Sequence, residues 1–165
     1  MTAKTAFTTE EWATLRNTPN LVAAATMLAG NSGLFGSFKE SFATAQAMFQ
    51  GISSSNELIK ALSQREEISE AQQFVRSQIS FAEAKNAAAK FSGSATGGTT
   101  AALNILRTKG TTDDGIAYKN WLTDIADKIS QSAKEGGFLG FGGELVSEGE
   151  KTFIAALKQS IGAAA

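Results

Sequence analysis

Cysteine and histidine are both absent from this chain of 165 residues. Without thiols, the chain has no disulfides, thiolate metal sites or cysteine nucleophiles. Without imidazole, it has neither a Ser-His-Asp triad nor the common histidine-based zinc, iron and copper sites. Acid–base catalysis would then depend on Asp, Glu, Lys or the single tyrosine, Tyr118, each with a large pKa shift. We therefore expect a protein that is not an enzyme and that uses no metal or cofactor.

A strong charge of either sign is also missing, since 15 basic residues face 16 acidic ones and the net charge is −1. This balance gives no long-range attraction to nucleic acid, and we expect no nucleic-acid partner. The longest apolar run, residues 21–30, is about half of the roughly 20 residues that span a bilayer. Residues 1–12 lack the apolar stretch of a secretory signal. We expect a cytoplasmic protein without an integral membrane segment, and we leave transient contact with a membrane surface open.

Proline is nearly absent as well, with one residue, Pro19, in the whole chain. Apolar residues recur at steps of three and four along most of the sequence, which is the period of helices. The length suits one domain with a substantial core. We predict a single all-α domain over residues 1–165, a compact bundle of six to eight helices with no sheet.

Helix-start chemistry predicts two helices near the N-terminus. Thr8 and Glu11 form a capping-box pattern that opens the first helix. Thr18 then resembles an N-cap, with Pro19 at the first position of a second helix, where its missing N–H costs nothing. Gly30 is the predicted end of that second helix.

Periodic segments continue through the middle of the chain. Five residues spaced 3, 4, 3 and 4 mark an apolar stripe on a helix: Phe35, Phe38, Phe42, Ala45 and Phe49. A capped short helix follows, with Leu58, Ile59 and Leu62 inward. The longest periodic segment is predicted as one helix over residues 66–91. The small residues at 92–99 are the candidate internal linker.

Three further helices are predicted towards the C-terminus. A short one holds Leu103, Ile105 and Leu106 and stops at Gly110, after which Thr111 or Thr112 caps the next. The apolar residues of that next helix are Tyr118, Trp121, Leu122, Ile125 and Ile129. Ser147 with Glu150 repeats the capping box and opens the last helix.

A glycine-rich segment at residues 136–143 carries bulky apolar residues between helices. It lacks the lysine of a phosphate-binding loop and the alternating oxygen ligands of a calcium loop. Its apolar side chains either fold over neighbouring helix ends or remain exposed as a contact patch. For the second alternative we predict that four residues contact a partner: Phe138, Leu139, Phe141 and Glu144. Leu34 and Phe35 are the candidates for a second patch.

Pairs of acidic residues occur at helical spacing in two places. Asp124 and Asp127 lie three residues apart, and the apolar neighbours of this pair assign it to the solvent face of its helix. Glu66, Glu67 and Glu70 lie near a predicted helix start, where the helix dipole favours negative charge. We interpret both groups as structural.

Two longer stretches resemble a group of uncharacterised bacterial all-helical proteins: "FTTEEWATLRNTPNLVAAA" and "KEGGFLGFGGELVSEGEKTFIAALKQSIG". The resemblance implies an all-helical fold and no activity. The last segment is also similar to TerB-like domains of tellurite-resistance proteins, in which an acidic loop precedes a Ser-x-x-Glu helix start. Ser147 and Glu150 fit that start, but Gly142 and Gly143 stand where an Asp-Gly is expected. No metal role is carried over.

These observations predict a bacterial protein that acts through interactions, as an adaptor, a stress-associated accessory protein or a subunit of a homo-oligomer. The alternative is a carrier that holds a small apolar ligand within the bundle. For the carrier, the predicted lining residues are Phe42, Phe49 and Phe74.

Overall fold

The structure, a computed structural model, describes residues 4–30, 54–79, 86–135 and 147–164, with no side chains described for residues 131–135. A 3-10 turn at Lys4–Ala6 precedes six α-helices in these ranges. They are α1 (Thr9–Gly30), α2 (Glu57–Leu62), α3 (Arg65–Ser77), α4 (Ala87–Lys109), α5 (Thr112–Glu135) and α6 (Glu148–Ala163). No strand occurs in the described ranges, and the predicted all-α fold is confirmed.

Helix α1 is the centre of the bundle. It packs against α3, α4, α5 and α6, and its most extensive contact is with α4. Every residue from Asn17 to Leu28 is buried, whichever face of the helix it occupies. A helix that is buried on all sides belongs to the core and not to the surface. The other helices therefore form a shell around α1.

The two N-terminal helices predicted from Thr18 and Pro19 are in fact one, because α1 runs unbroken from Thr9 to Gly30. A proline inside a helix has no N–H for the carbonyl four residues earlier, here that of Leu15. The hydroxyl of Tyr118 in α5 donates to that Leu15 oxygen at 2.7 Å. The prediction was wrong because this replacement comes from a residue about a hundred positions away. The capping box at Thr8 and Glu11 is confirmed.

Tyr118 is fully buried, with 0% of its surface exposed. Burial raises the pKa of its phenol far above its ordinary value, against a smaller opposing effect of Thr18, so the hydroxyl keeps its proton. The ring packs edge-on against Trp121, with the two ring centroids 5.9 Å apart. These contacts make Tyr118 a core residue whose one polar atom serves the backbone of α1.

Helix α2 confirms the predicted capped short helix, since the Asn56 side chain accepts from the backbone N–H of Ile59 at 3.1 Å. The single helix predicted over residues 66–91 is wrong: α3 ends at Ser77, and Ala87 begins α4. Both helices bury apolar residues at steps of three and four. Periodicity alone does not detect a break between two helices of this kind.

The candidate linker at residues 92–99 lies inside α4 and is helical throughout. Ala95 and Thr99 are fully buried within it. A Cβ added at Gly98 would approach the hydroxyl oxygen of Thr18 in α1 to 2.9 Å. The small residues therefore let α4 lie close against the central helix. Amino-acid composition alone does not distinguish such a close-packed segment from a flexible linker.

The predicted starts of the last two helices are confirmed. At α5, the Thr111 hydroxyl accepts from the N–H of Asp114 at 3.1 Å, and the Asp114 carboxylate accepts from the N–H of Thr111 at 3.0 Å. At α6, Ser147 and Glu150 form the reciprocal capping box at 3.2 and 2.9 Å. Gly110 is the C-cap of α4, as predicted, although that helix begins far earlier than expected.

The bond between Tyr118 and α1 can be tested by a double-mutant cycle with Pro19. Tyr118→Phe removes the donor and should cost about 1–3 kcal/mol, because the buried Leu15 carbonyl loses its partner. In a Pro19→Ala background the cost should be smaller, because an alanine at this position restores an N–H to that carbonyl. Urea unfolding of the four proteins measures both costs. Equal costs in the two backgrounds would contradict the coupling.

Neighbouring glycines in α4 test its helical structure against a flexible linker. Gly97→Ala meets no atom within 4 Å and should stabilise the protein by about 0.5–1 kcal/mol through helix propensity. Gly98→Ala should destabilise it, because the new methyl group displaces the Thr18 hydroxyl. Thermal unfolding compares the pair. Equal and small effects at both positions would indicate that this segment is not a packed helix.

Candidate functional site

The contact residues predicted from the sequence, Phe138, Leu139, Phe141 and Glu144, lie outside the described residues. Leu34 and Phe35, the second predicted patch, lie outside them too. Both patches stay predictions.

Most of the acidic residues interpreted as structural lie at the surface. Asp124, Glu66 and Glu70 are exposed, and Asp127 is partly buried. Glu67 differs, because only 8% of its surface is exposed. A helix-dipole interpretation alone does not account for a buried carboxylate, which requires a charged partner.

Glu67 belongs to an ion cluster formed with Lys4, Arg16 and Glu70. Lys4 donates to one carboxylate oxygen of Glu67, and the Arg16 guanidinium lies 3.6 Å from the other while also pairing with Glu70. The Lys4 ammonium also lies 5.2 Å from the ring centroid of Trp12. The cluster joins the N-terminal turn, α1 and α3.

Opposing effects act on the pKa of Glu67. Burial would raise it, but the hydrogen bond from Lys4, the Trp12 indole and the charges of Lys4 and Arg16 together hold it below its ordinary value of 4.5. The carboxylate therefore stays ionised in neutral solution. Its charged partners, Lys4 and Arg16, join the N-terminal turn and α1 to α3, and we assign the cluster to stability.

No group of three acidic side chains in the described part of the chain is placed to hold a metal ion. Within the same residues, no helix is long and apolar enough to cross a membrane.

A cleft of about 260 Å³ opens where α4 ends and α5 begins. We call it the α4–α5 cleft. Its walls are two helix faces, with the last residue of the described chain at one side. The lining residues are Leu103, Leu106, Arg107 and Gly110 from α4 and its cap, Thr111, Thr112, Gly115, Ile116 and Lys119 from the start of α5, and Ala164.

Helical spacing explains why these residues line one cleft. In each wall the four principal residues stand at positions i, i+3, i+4 and i+7, which is one face of an α-helix. Leu103 and Leu106 are buried and form the apolar floor. A Cβ at Gly115 would meet no atom within 4 Å, so this position leaves open space in the wall.

Ile116 is the most exposed large apolar residue of the described structure, with 53% of its surface accessible. It lies two residues before Tyr118, and two residues turn a helix by about 200°. Because Tyr118 points into the core, Ile116 points out into the cleft. The hydrogen bond that holds Tyr118 against α1 thus also determines which face of α5 lines the cleft.

Two basic side chains flank the apolar floor, Arg107 on the α4 wall and Lys119 on the α5 wall, and none of the lining residues in the described ranges is acidic. Arg107 makes a long hydrogen bond to the Asn104 side chain at 3.4 Å. The hydroxyls of Thr111 and Thr112 add polar groups at the mouth. An apolar floor with a basic rim is suited to binding an amphipathic anionic surface.

The sequence alone did not predict the α4–α5 cleft. Ile116 falls outside the apolar stripe of α5, and an apolar residue off the stripe is a usable signal for an exposed contact. The i, i+3, i+4, i+7 spacing of the residues in each wall is also present in the sequence. Only the structure shows that the two walls face each other.

The interior pocket predicted for a carrier included Phe74, which the structure places at the surface of α3 with 36% of the residue exposed. Phe74 therefore does not line an interior cavity. Phe42 and Phe49 lie outside the described residues.

No protein-family model, curated protein or solved structure matches this chain. The resemblance to TerB-like domains stays a prediction.

The ion cluster predicts how stability depends on pH. The pKa of Glu67 is lower in the folded chain than in the unfolded chain, so its stabilisation is complete above about pH 4.5 and is lost as the pH falls through the folded value. Glu67→Gln should lower stability at neutral pH, and its difference from the wild type should shrink as the pH falls below about 4.5.

Urea unfolding across this pH range measures the difference. A hydrogen bond from Lys109 also lowers the pKa of Glu11. Because Glu11 is present in both proteins, it contributes equally to the pH dependence of their stability. Glu57→Gln is the control, because its pair with Lys60 is half-exposed and should contribute little. A difference between wild type and Glu67→Gln that stays constant with pH would contradict the assignment.

Proposed function

We propose that this protein is a non-catalytic helical interaction protein that binds a partner protein through the α4–α5 cleft. The single observation that carries the proposal is the exposure of Ile116, an isoleucine standing over an open apolar floor. Isolated exposed apolar residues are common on protein surfaces. One that adjoins a concave apolar surface with a charged rim is typical of a binding site.

The adaptor role, the cytoplasmic location and the bacterial origin belong to the same proposal and rest on the sequence. The glycine-rich segment with Phe138, Leu139, Phe141 and Glu144 is proposed as a second contact region. Two separate contact regions on one chain would suit an adaptor, which must hold more than one surface at a time.

A carrier of a small apolar ligand is the second candidate, and the apolar floor of the same cleft favours it. The volume of about 260 Å³ lies just below the range of about 300–1,000 Å³ typical of pockets for drug-sized ligands. Native mass spectrometry of the gently purified protein distinguishes the two candidates. A retained small molecule would favour the carrier, and a retained protein of defined mass would favour the adaptor.

Site-specific photocrosslinking in the native host tests the interaction proposal. A photoreactive phenylalanine analogue replaces Ile116 in one variant and Phe74, the other exposed large apolar residue of the described ranges, in the matched control. We expect a crosslinked protein, identified by mass spectrometry, at position 116 and not at position 74. The apolar contact of a partner would place it within reach of the first probe only.

Crosslinks of equal yield at both positions would indicate nonspecific surface contact. The absence of any adduct at position 116, with the variant folded as judged by circular dichroism, would overturn the proposed use of the cleft.

A further inference from the structure

We infer that the α4–α5 cleft binds an acidic amphipathic helix of a partner protein. This inference rests on the proposed function and names the chemistry of the partner. It is carried by three features of the described cleft: the shape of its walls, the exposed side chain of Ile116 and the sign of its charges.

The walls favour a helix over an extended peptide. Each wall presents residues at positions i, i+3, i+4 and i+7, so the groove between the walls matches the ridges of a third helix. Recognition of an extended peptide usually needs a free sheet edge, and no strand occurs in the described ranges. An amphipathic helix in a groove is a common mode of peptide recognition that this architecture supports.

The size of the cleft limits how much of the partner enters it. A volume of about 260 Å³ holds a few side chains from neighbouring turns and not a whole molecule of typical ligand size. Ile116 would then pack beside those side chains and lose its exposed surface. We expect the partner to present apolar residues at steps of three and four.

The charges select an acidic partner. Arg107 and Lys119 stand on opposite walls, so a helix lying between them would have one cation on each side. No acidic residue among the described lining residues neutralises them. Asp114, in the first turn of α5, is directed elsewhere, since its carboxylate accepts from the N–H of Thr111 and from the Asn56 side chain at 3.0 Å each.

The test begins with selection of peptides against the full-length protein. A phage library of random peptides about 16 residues long offers roughly four turns of helix. We expect enriched peptides to combine Asp or Glu with Leu, Ile or Phe at helical spacing. Synthetic versions should gain helical circular dichroism when they bind.

Variants of the protein then locate the binding. Arg107→Glu and Lys119→Glu should each weaken binding of an enriched peptide by about tenfold or more, because each reverses a charge at the rim. Lys158→Glu, an exposed lysine on α6 outside the lining, is the matched control and should leave binding unchanged. Isothermal titration measures the affinity of these three variants for the peptide. Ile116→Ser is a fourth variant, which tests the apolar contact.

The outcomes separate this inference from the proposed function. Peptides that lose affinity with Ile116→Ser but not with the charge reversals, or that carry no acidic residues, would overturn the acidic partner and keep the cleft as an interaction site. Peptides insensitive to every cleft variant, or no enriched peptide at all, would overturn both. Self-association of the protein that Lys119→Glu abolishes in sedimentation would replace the partner with a second copy of this chain.

Discussion

The hydrogen bond from Tyr118 to the Leu15 carbonyl holds this bundle together at the point where its central helix is weakest. Pro19 removes the N–H that Leu15 needs, and a proline inside a helix costs about 3 kcal/mol. Water does not take the place of that N–H, because Leu15 is fully buried, with 0% of its surface exposed. The phenol of Tyr118 in α5 donates a hydrogen bond to the Leu15 carbonyl at 2.7 Å, and the same bond joins the two helices. The helices around α1 then complete the core.

The same bond determines what the protein presents to solvent. With Tyr118 fixed inward, Ile116 points outward on the other side of α5, and Lys119 lies beside it, three residues further along the helix. The α4 wall is positioned separately, by the close approach of Gly98 to Thr18. The α4–α5 cleft is therefore formed by two helices that are both fixed against α1. A site on rigid elements of this kind binds without paying for the ordering of its own walls.

The sequence predicted the helical class and most helix ends, because those depend on local chemistry such as the capping boxes at Thr8 and Ser147. The predictions from the sequence were wrong where a residue distant in the chain determines the local structure. Pro19 resembles a helix start because its partner, Tyr118, is remote in the chain, and residues 92–99 resemble a linker because close packing and flexibility both use small residues. The cleft was missed for the same reason, since Arg107 and Lys119 meet only once α4 and α5 are packed. The predicted contacts at Phe138, Leu139, Phe141 and Glu144 lie outside the described residues and stay predictions.

The most direct measurement is solution NMR of the full chain, directed at the Tyr118 hydroxyl proton and the Cα shifts around Pro19. We expect a resolved, slowly exchanging hydroxyl proton with contacts to α1, and helical shifts that continue from Leu15 through Val22. A rapidly exchanging hydroxyl proton, together with non-helical shifts just before Pro19, would mean two separate helices. In that case neither α5 nor the α4–α5 cleft would be fixed in the way described.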